Sequence, residues 1–560
     1  MPRRMHARSR AGCLTCRQRH VRCDELRPSC QQCLASNRPC NYPLMVIPLR
    51  DRRMLQRNAL PPGQQAPWAL MNSTPGLTGR KVVGSTAMDP FDTLPVKMPF
   101  KSRELYHYFY QTGAAFGVAP SDPKDDCIAL STLDEHALRS TILIAGIHYS
   151  WNAGNLHAYK SAFLFHKVES IRIINSWLEA FDSKTFVVCV RQILTICLAE
   201  ACHGNLVAAE THLNGIMALF DSYEQGNGTV WGIIDDIDNE LACHYLLLTS
   251  CFVLALKNRL ENFILFRTAE GIESNNHDDL SPDGALQLMK AWHGMEYGGL
   301  DTRLRAIRMF PYFFSPPPTN VRPQMVVDAL PIIDCLRATT GSIDQIRANP
   351  ATEHMHRVWN DGGPTKLLLV LVTSHVSSLV AKDDNAKTKT MGYPEKKENV
   401  FRTSWSGITA AVELYMHSVL NILNAGEPLE CRLLYRILLI IKRDIDQTRG
   451  DLSGDHGGLY QALWFWKVFI GTVALASSQH RCTAASNMVT ATPRKCSCSS
   501  QADLNGHYRW FRDCARAWSV VTGRMGWKNV KPVLETITWP TVLSQDGKDY
   551  AANIWAQVFI

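Results

Sequence analysis

Cys13-Leu14-Thr15-Cys16-Arg17-Gln18-Arg19-His20-Val21-Arg22-Cys23-Asp24-Glu25-Leu26-Arg27-Pro28-Ser29-Cys30-Gln31-Gln32-Cys33-Leu34-Ala35-Ser36-Asn37-Arg38-Pro39-Cys40 is the stretch on which the reading of this chain turns. Its six cysteines follow C-x2-C-x6-C-x6-C-x2-C-x6-C, and Cys30, Cys33 and Cys40 repeat Cys13, Cys16 and Cys23 at a constant offset of seventeen residues. Two copies of one half-site lie side by side.

Each half supplies three thiolates, one short of the four that tetrahedral zinc takes, so neither half closes a site alone. Six sulfurs satisfy two zincs if two of them bridge. The symmetric choice is the first cysteine of each half: Cys13 and Cys30 bridge, Cys16 and Cys23 complete one metal, and Cys33 and Cys40 complete the other. Metal is also needed for folding. Only Leu14, Val21, Leu26, Leu34 and Ala35 offer a core here, each giving at most ~1.5–3 kcal/mol, whereas ordering each residue costs ~1–2 kcal/mol. Zinc ligation, at ~10–16 kcal/mol per structural site, is large enough to decide the balance. The alternative is a mononuclear ribbon on Cys13, Cys16, Cys30 and Cys33, which leaves Cys23 and Cys40 as ordinary thiols and the repeat unexplained. A disulfide framework is disfavoured, because the other twelve cysteines are scattered, mostly through apolar helical patterns, with no secretory signal ahead of them.

The segment resembles the fungal binuclear zinc-cluster DNA-binding domain in the cysteine spacing, the basic run Arg17-Gln18-Arg19-His20-Val21-Arg22, Asp24 after the third cysteine and Pro28 before the fourth. The resemblance implies two zinc ions per chain held by Cys13, Cys16, Cys23, Cys30, Cys33 and Cys40. It also implies a short helix after the second cysteine that enters the major groove, with two adjacent basic residues reading a CGG triplet. Those positions map onto Arg19 and His20. Arginine suits guanine because it donates to O6 and N7 at once. His20 departs from the family's usual lysine, putting a shorter, planar imidazole where lysine offers a flexible permanent charge. Arg17 and Arg22 are assigned to phosphates, which set affinity and register.

Charge distribution agrees with a nucleic-acid-binding head. Residues 1–57 carry thirteen arginines against Asp24, Glu25 and Asp51, a balance of +10 in a chain whose net charge is +8. The remainder therefore sums to −2, and the positive potential is confined to one end. Arg3, Arg4, Arg8 and Arg10 are read as a phosphate-contacting arm that doubles as a nuclear import signal rather than as a transit peptide.

Proline-interrupted residues 44–100 read as a flexible linker. Leu44, Ile47, Leu49, Met54 and Leu55 do not sustain two heptads, so the short coiled coil that many relatives place there is absent from the pattern. From about Ser102 helical periodicity takes over. Thr132 and Glu135 have capping-box spacing ahead of Leu138, Ile142, Ala145 and Tyr149. Leu164, Val168, Ile171, Ile174 and Leu178 are expected to form a core face, as are Val187, Val190, Leu194, Cys197 and Ala201. Further helices are expected near 206–221, 236–258, 324–339, 364–380, 405–424, 429–446, 458–477 and 507–526, and residues 478–506 read as a surface loop. No stretch shows sustained alternation. The apolar runs Leu241–Leu256 and Ala462–Ala476 contain His244, Thr249 and Lys467 and read as buried helices, not membrane spans.

The expected architecture is a zinc-stabilised cluster module at 1–43, a linker at 44–100, and a large all-α domain at 101–560. The last is similar, more diffusely, to the fungal-specific transcription factor regulatory domain, through Glu210-Thr211-His212-Leu213, Ala218-Leu219-Phe220-Asp221, Phe511-Arg512-Asp513 and Trp518. No phosphate-binding G-x-x-x-x-G-K-S/T, no G-x-S-x-G and no H-E-x-x-H occurs, and Gly450–Gly458 with Ser453 and His456 lacks a preceding strand, so no enzyme is expected. The implied function is that of a nuclear, sequence-specific regulator of transcription on double-stranded DNA, with activation favoured. Its expected partners are the transcription machinery and a second subunit held as homodimer or heterodimer through the helical domain. The competing class is a zinc module for protein contacts, or a ligand or redox sensor, without site-specific DNA binding.

Overall fold

The computed structural model describes residues 13–26, 29–40, 94–120, 123–179, 183–227, 237–269, 282–315, 326–348, 358–379, 402–423, 429–448, 457–486, 500–541 and 550–559. The chain divides into two compact units, one within residues 1–69 and one within 70–560. The expected linker lies almost wholly outside the described residues, as do the arginines of the N-terminal arm and Ser453 and His456.

The first unit holds two five-residue helices, α1 (Leu14–Gln18) and α2 (Gln31–Ala35), each wrapped around the middle cysteine of its half. Five cysteine side chains are buried and pack with Cys40 as a small sulfur core, while Leu14, Val21, Leu26 and Leu34 are exposed. The aliphatic residues therefore contribute almost nothing to this core, and the sulfurs are its substance. Helix α1 begins before the second cysteine, not after it, and ends at Gln18, so Arg19 and His20 occupy the turn that closes it.

Among the described residues, the regular structure of the second unit is helical except for one antiparallel ribbon, β1 (Val326–Asp328) with β2 (Arg402–Ser404), in the register Val327↔Thr403. The helix expected from 324 accordingly starts later, at Leu330. Its predecessor is too short at three residues for alternation to show in sequence. The first long helix of the body is Glu135–Ala153, and its cap is Asp134, whose carboxylate accepts from the Ala137 amide at 2.6 Å. Thr132 does not form the expected capping box; its hydroxyl turns back to the Ala129 carbonyl. Three helical windows, Thr185–Cys202, Asp238–Leu260 and Gly458–Ser478, are long and apolar enough to cross a membrane. Between 72% and 83% of each lies buried inside the body, so packing accounts for their apolarity. Within the last of them Trp464, Phe465, Trp466 and Phe469 are buried, and Phe465 stacks on Trp518 at 3.7 Å.

Helix Lys160–Glu179 is turned the other way from expectation. Leu164, Val168 and Leu178 are 44%, 53% and 46% exposed, and Ile171 is exposed with them, while Ile174 alone of the expected face is buried. The inward face is Ala162, Phe163, His166, Ser170 and Ile174. His166 tolerates burial because its Nε2 pairs with the Ser102 hydroxyl at 2.9 Å, and burial holds its pKa down at about 3, neutral. The loop expected over 478–506 is shorter than read: helices run to Ser486 and resume at Ser500.

Several buried cations in the body meet carboxylates. Lys467 reaches Asp444 at 2.6 Å, Arg308 reaches Asp126 at 2.6 Å, Arg303 reaches Glu296 at 2.6 Å and Arg436 reaches Asp221 at 2.8 Å. His148, expected as a core residue, is fully buried and bonded to the Tyr108 hydroxyl at 2.9 Å. His244 pairs with His375 at 3.1 Å and with Glu240 at 3.2 Å. His212 is only half-buried.

Candidate metal centre and nucleic-acid interface

The cysteines gather into two quartets. Sulfurs of Cys13, Cys16, Cys23 and Cys30 all lie within 4.8 Å of one another, and so do those of Cys13, Cys30, Cys33 and Cys40. Cys13 and Cys30 belong to both. Four thiolates around zinc at Zn–S ≈ 2.3 Å stand about 3.8 Å apart along each tetrahedral edge. Inside the quartets Cys13–Cys30 is 3.8 Å, Cys16–Cys30 3.5 Å and Cys13–Cys33 3.6 Å. Cys16 and Cys33, in different quartets, also approach to 3.8 Å, so the four inner sulfurs alone fit the single-metal ribbon equally well. Cys23 and Cys40 separate the two arrangements, since each completes a quartet that the ribbon leaves at three. An all-sulfur tetrahedral donor set fits zinc.

Backbone amides repeat the pseudo-symmetry. The Cys13 amide donates to Cys23 Sγ at 3.4 Å, and seventeen residues on the Cys30 amide donates to Cys40 Sγ at 3.3 Å. Burial acts to raise the thiol pKa of Cys13, but the Cys16 amide, donating to Cys13 Sγ at 3.3 Å, helps to outweigh it and the net shift is downward. Cys30 is shifted down in the same way with help from the Cys33 amide. Burial pushes Cys33 up, to about 12, and Cys16 further up. The two thiols shifted downward are therefore the two shared between quartets.

Three contacts fix the frame around the sulfurs. Asp24 Oδ2 accepts from the Gln31 amide at 3.0 Å, satisfying one of the open donors at the start of α2. Thr15 Oγ1 donates to the Pro39 carbonyl at 2.7 Å, and Arg19 Nη1 donates to Ser36 Oγ at 2.8 Å, both from one half to the other. Neither Thr15 nor Ser36 carried any signal in the cysteine spacing, although Ser36 lies at the seventeen-residue offset from Arg19.

Both helices end in the same way. The Val21 amide donates to the Cys16 carbonyl at 3.1 Å with His20 at φ +55°, and the Arg38 amide donates to the Cys33 carbonyl at 3.0 Å with Asn37 at φ +47°. These are Schellman turns with a left-handed residue at C′. Histidine and asparagine are among the few non-glycine residues enriched there.

Of the four residues read as facing nucleic acid, His20 and Arg22 are exposed and Arg19 is half-buried against Ser36. Arg17 lies on α1, and its side chain is outside the described residues. At the equivalent positions of the second half stand Leu34, Ser36, Asn37 and Pro39. One duplicated backbone thus carries a cluster of cations on its first copy and, on its second, only the exposed Arg38, opposite Val21.

Residues 11–45 match the family model described as the fungal Zn(2)-Cys(6) binuclear cluster domain. Among curated proteins, the chain is 29% identical over 154 residues to the Zn(2)-C6 fungal-type transcription factor afumD of Aspergillus fumigatus, covering 27% of this chain and 35% of that protein. It is 33% identical over 123 residues to the aspercryptin biosynthesis cluster-specific transcription regulator atnN of Emericella nidulans, 21% of this chain and 18% of that protein. It is 61% identical over 33 residues to the transcription activator AMTR1 of Alternaria alternata, 6% of this chain and 4% of that protein. The matched segments thus span about a third or less of these relatives. No solved structure matches the chain.

Proposed function

From a fungal Zn(2)-Cys(6) binuclear cluster domain at residues 11–45, we propose that this chain is a sequence-specific DNA-binding regulator of transcription, acting in the nucleus on CGG-type half-sites. The six cysteines hold two zincs, with Cys13 and Cys30 bridging, and the metal supplies the folding energy that the exposed aliphatic residues cannot. Arg19 and His20 face base edges; Arg17 and Arg22 hold phosphates. The helical body, proposed to run from 101 to 560 behind a linker at 44–100, is read as the regulatory domain and the seat of any dimer. In keeping with this, the alignments to afumD and atnN are longer than the zinc segment alone. Activation is favoured over repression, in line with the similarity to the transcription activator AMTR1.

The observation that carries the reading is the asymmetry of the duplicate. If the arginines served only to offset the two negative charges of a six-thiolate, two-zinc cluster, both halves would be expected to share them. Instead the cations gather on the first turn: Arg17, Arg19, His20 and Arg22 stand opposite Leu34, Ser36, Asn37 and Pro39, and the second turn has Arg38 alone, opposite Val21. Charge concentrated on one groove-sized turn is what base and phosphate contacts require.

The test is a titration of the zinc-loaded chain against duplexes with intact and scrambled CGG triplets at two salt concentrations. Each correct base contact gives ~1–3 kcal/mol of discrimination, so the intact site should bind tighter by roughly tenfold or more. Equal, salt-sensitive binding to both duplexes would reject site-specific recognition and favour a protein-contact role.

A further inference from the structure

Arg19 and Ser36 are equivalent residues of the two half-sites, and the structure joins them: Arg19 Nη1 donates to Ser36 Oγ at 2.8 Å. Ser36 is itself committed. Its hydroxyl donates to the Gln32 carbonyl at 2.7 Å, with the Cys33 carbonyl at 3.3 Å, so its only proton points into α2 and its lone pairs face Arg19. The contact is directional, an acceptor fixed on a metal-tied helix holding one nitrogen of a planar fork. A guanidinium has five N–H donors, so one bond through Nη1 leaves the Nη2 and Nε edge free for a bidentate contact.

We propose that Ser36, on the half-site with no cation at the positions equivalent to Arg17, Arg19 and Arg22, is a positioning residue for base reading: it sets the plane of the Arg19 guanidinium before DNA arrives. The proposal rests on the DNA-binding reading above and assigns the second half of the duplicate a task beyond holding metal. An arginine on a free turn can swing to another acceptor when O6 or N7 is missing, and so recovers part of its contact on an incorrect triplet. A fork already oriented gives its full return only where O6 and N7 stand in place, so the tie acts on discrimination more than on affinity.

The experiment uses the full-length, zinc-loaded chain and two duplexes, one with CGG and one with both guanines replaced by adenine. The readout is the ratio of the two dissociation constants. Ser36→Ala should lower that ratio by roughly tenfold, leaving the zinc content and the salt slope unchanged. Ser36→Thr, which keeps the hydroxyl, should restore it. In an Arg19→Ala background, Ser36→Ala should change the ratio no further. An unchanged ratio in Ser36→Ala, or the same loss in the Arg19→Ala background, overturns the proposal. A wild-type chain that does not distinguish the duplexes overturns the DNA reading instead. The tie is then judged without DNA, by hydrogen–deuterium exchange of residues 33–40. Faster exchange in Arg19→Ala supports the contact and an unchanged rate overturns it; the same measurement serves if Ser36→Ala releases zinc.

Discussion

Replacing one cysteine at a time should sort the six into two classes, and the quartets say which. Cys13 and Cys30 are common to both, whereas Cys16 and Cys23 belong to the first and Cys33 and Cys40 to the second. A structural zinc site is worth ~10–16 kcal/mol over four ligands, so losing one thiolate costs a site about 3 kcal/mol. At 1.4 kcal/mol per decade that is roughly a hundredfold in zinc affinity. Cys23→Ala should therefore weaken one zinc by about that factor and spare the other, and a competing chelator should remove metal in two separated steps. Cys13→Ala takes a ligand from both quartets, so both zincs should leave together and earlier than in wild type. Metal analysis with a colorimetric zinc chelator resolves the two patterns. A Cys13→Ala protein that keeps one zinc at wild-type affinity would refute the shared-ligand geometry, and a wild type binding a single zinc with two reactive thiols would restore the ribbon.

Glu413 is fully buried with Ser250 as its hydrogen-bond partner, and burial pushes its carboxyl up to about 8. A raised carboxyl favours the folded state below its unfolded value of ~4.3 and loses that contribution as pH climbs through 8, so stability from this residue should fall by about 2 kcal/mol between pH 6 and 8; Glu413→Gln should flatten the slope in denaturant titrations, and an unchanged slope would count against a neutral buried acid. Lys467→Met should be tolerated less well alone than with Asp444→Leu, because the single change strands a buried carboxylate at a cost of ~3–5 kcal/mol, which a double-mutant cycle by urea melting would show. Leu164→Lys and Ile171→Lys should cost under about 0.5 kcal/mol while Ile174→Ala costs about 2–5 kcal/mol; the opposite order would mean that helix Lys160–Glu179 packs by its other face.

What the sequence made legible was the chemistry with fixed stoichiometry. Six cysteines at a seventeen-residue offset admit few ways to give two zincs four ligands each; counting requires two shared sulfurs, and the choice of the first cysteine of each half, Cys13 and Cys30, agrees with the two quartets. Helical character was legible too, because 3.6-residue periodicity survives any tertiary arrangement. Which stripe faces inward was not. Helix Lys160–Glu179 carries one aliphatic stripe through Leu164, Val168 and Ile171 and a second through Phe163, His166, Ser170 and Ile174, and hydrophobicity alone chooses the first. The body buries the second, seating Phe163 and Ile174 in its core, and Ser102, 64 residues away, supplies a partner for His166. The Arg19–Ser36 tie escaped for the same reason: it depends on how two turns meet.

The left-handed backbone at His20 limits which residues settle easily at the position proposed to read DNA. At φ +55° a β-branched or bulky side chain is a conformational outlier, and the residues that settle there readily are glycine, asparagine, aspartate and histidine. Aspartate would repel phosphates and glycine reads nothing, so histidine and asparagine remain as the inexpensive choices, the two found at 20 and 37. Replacing His20 with lysine therefore alters the backbone's ease as well as the charge, and should be judged beside His20→Asn. A designer retargeting this protein would do better to vary Arg19, whose backbone is unrestricted by such handedness, and to choose its partner at 36 with it.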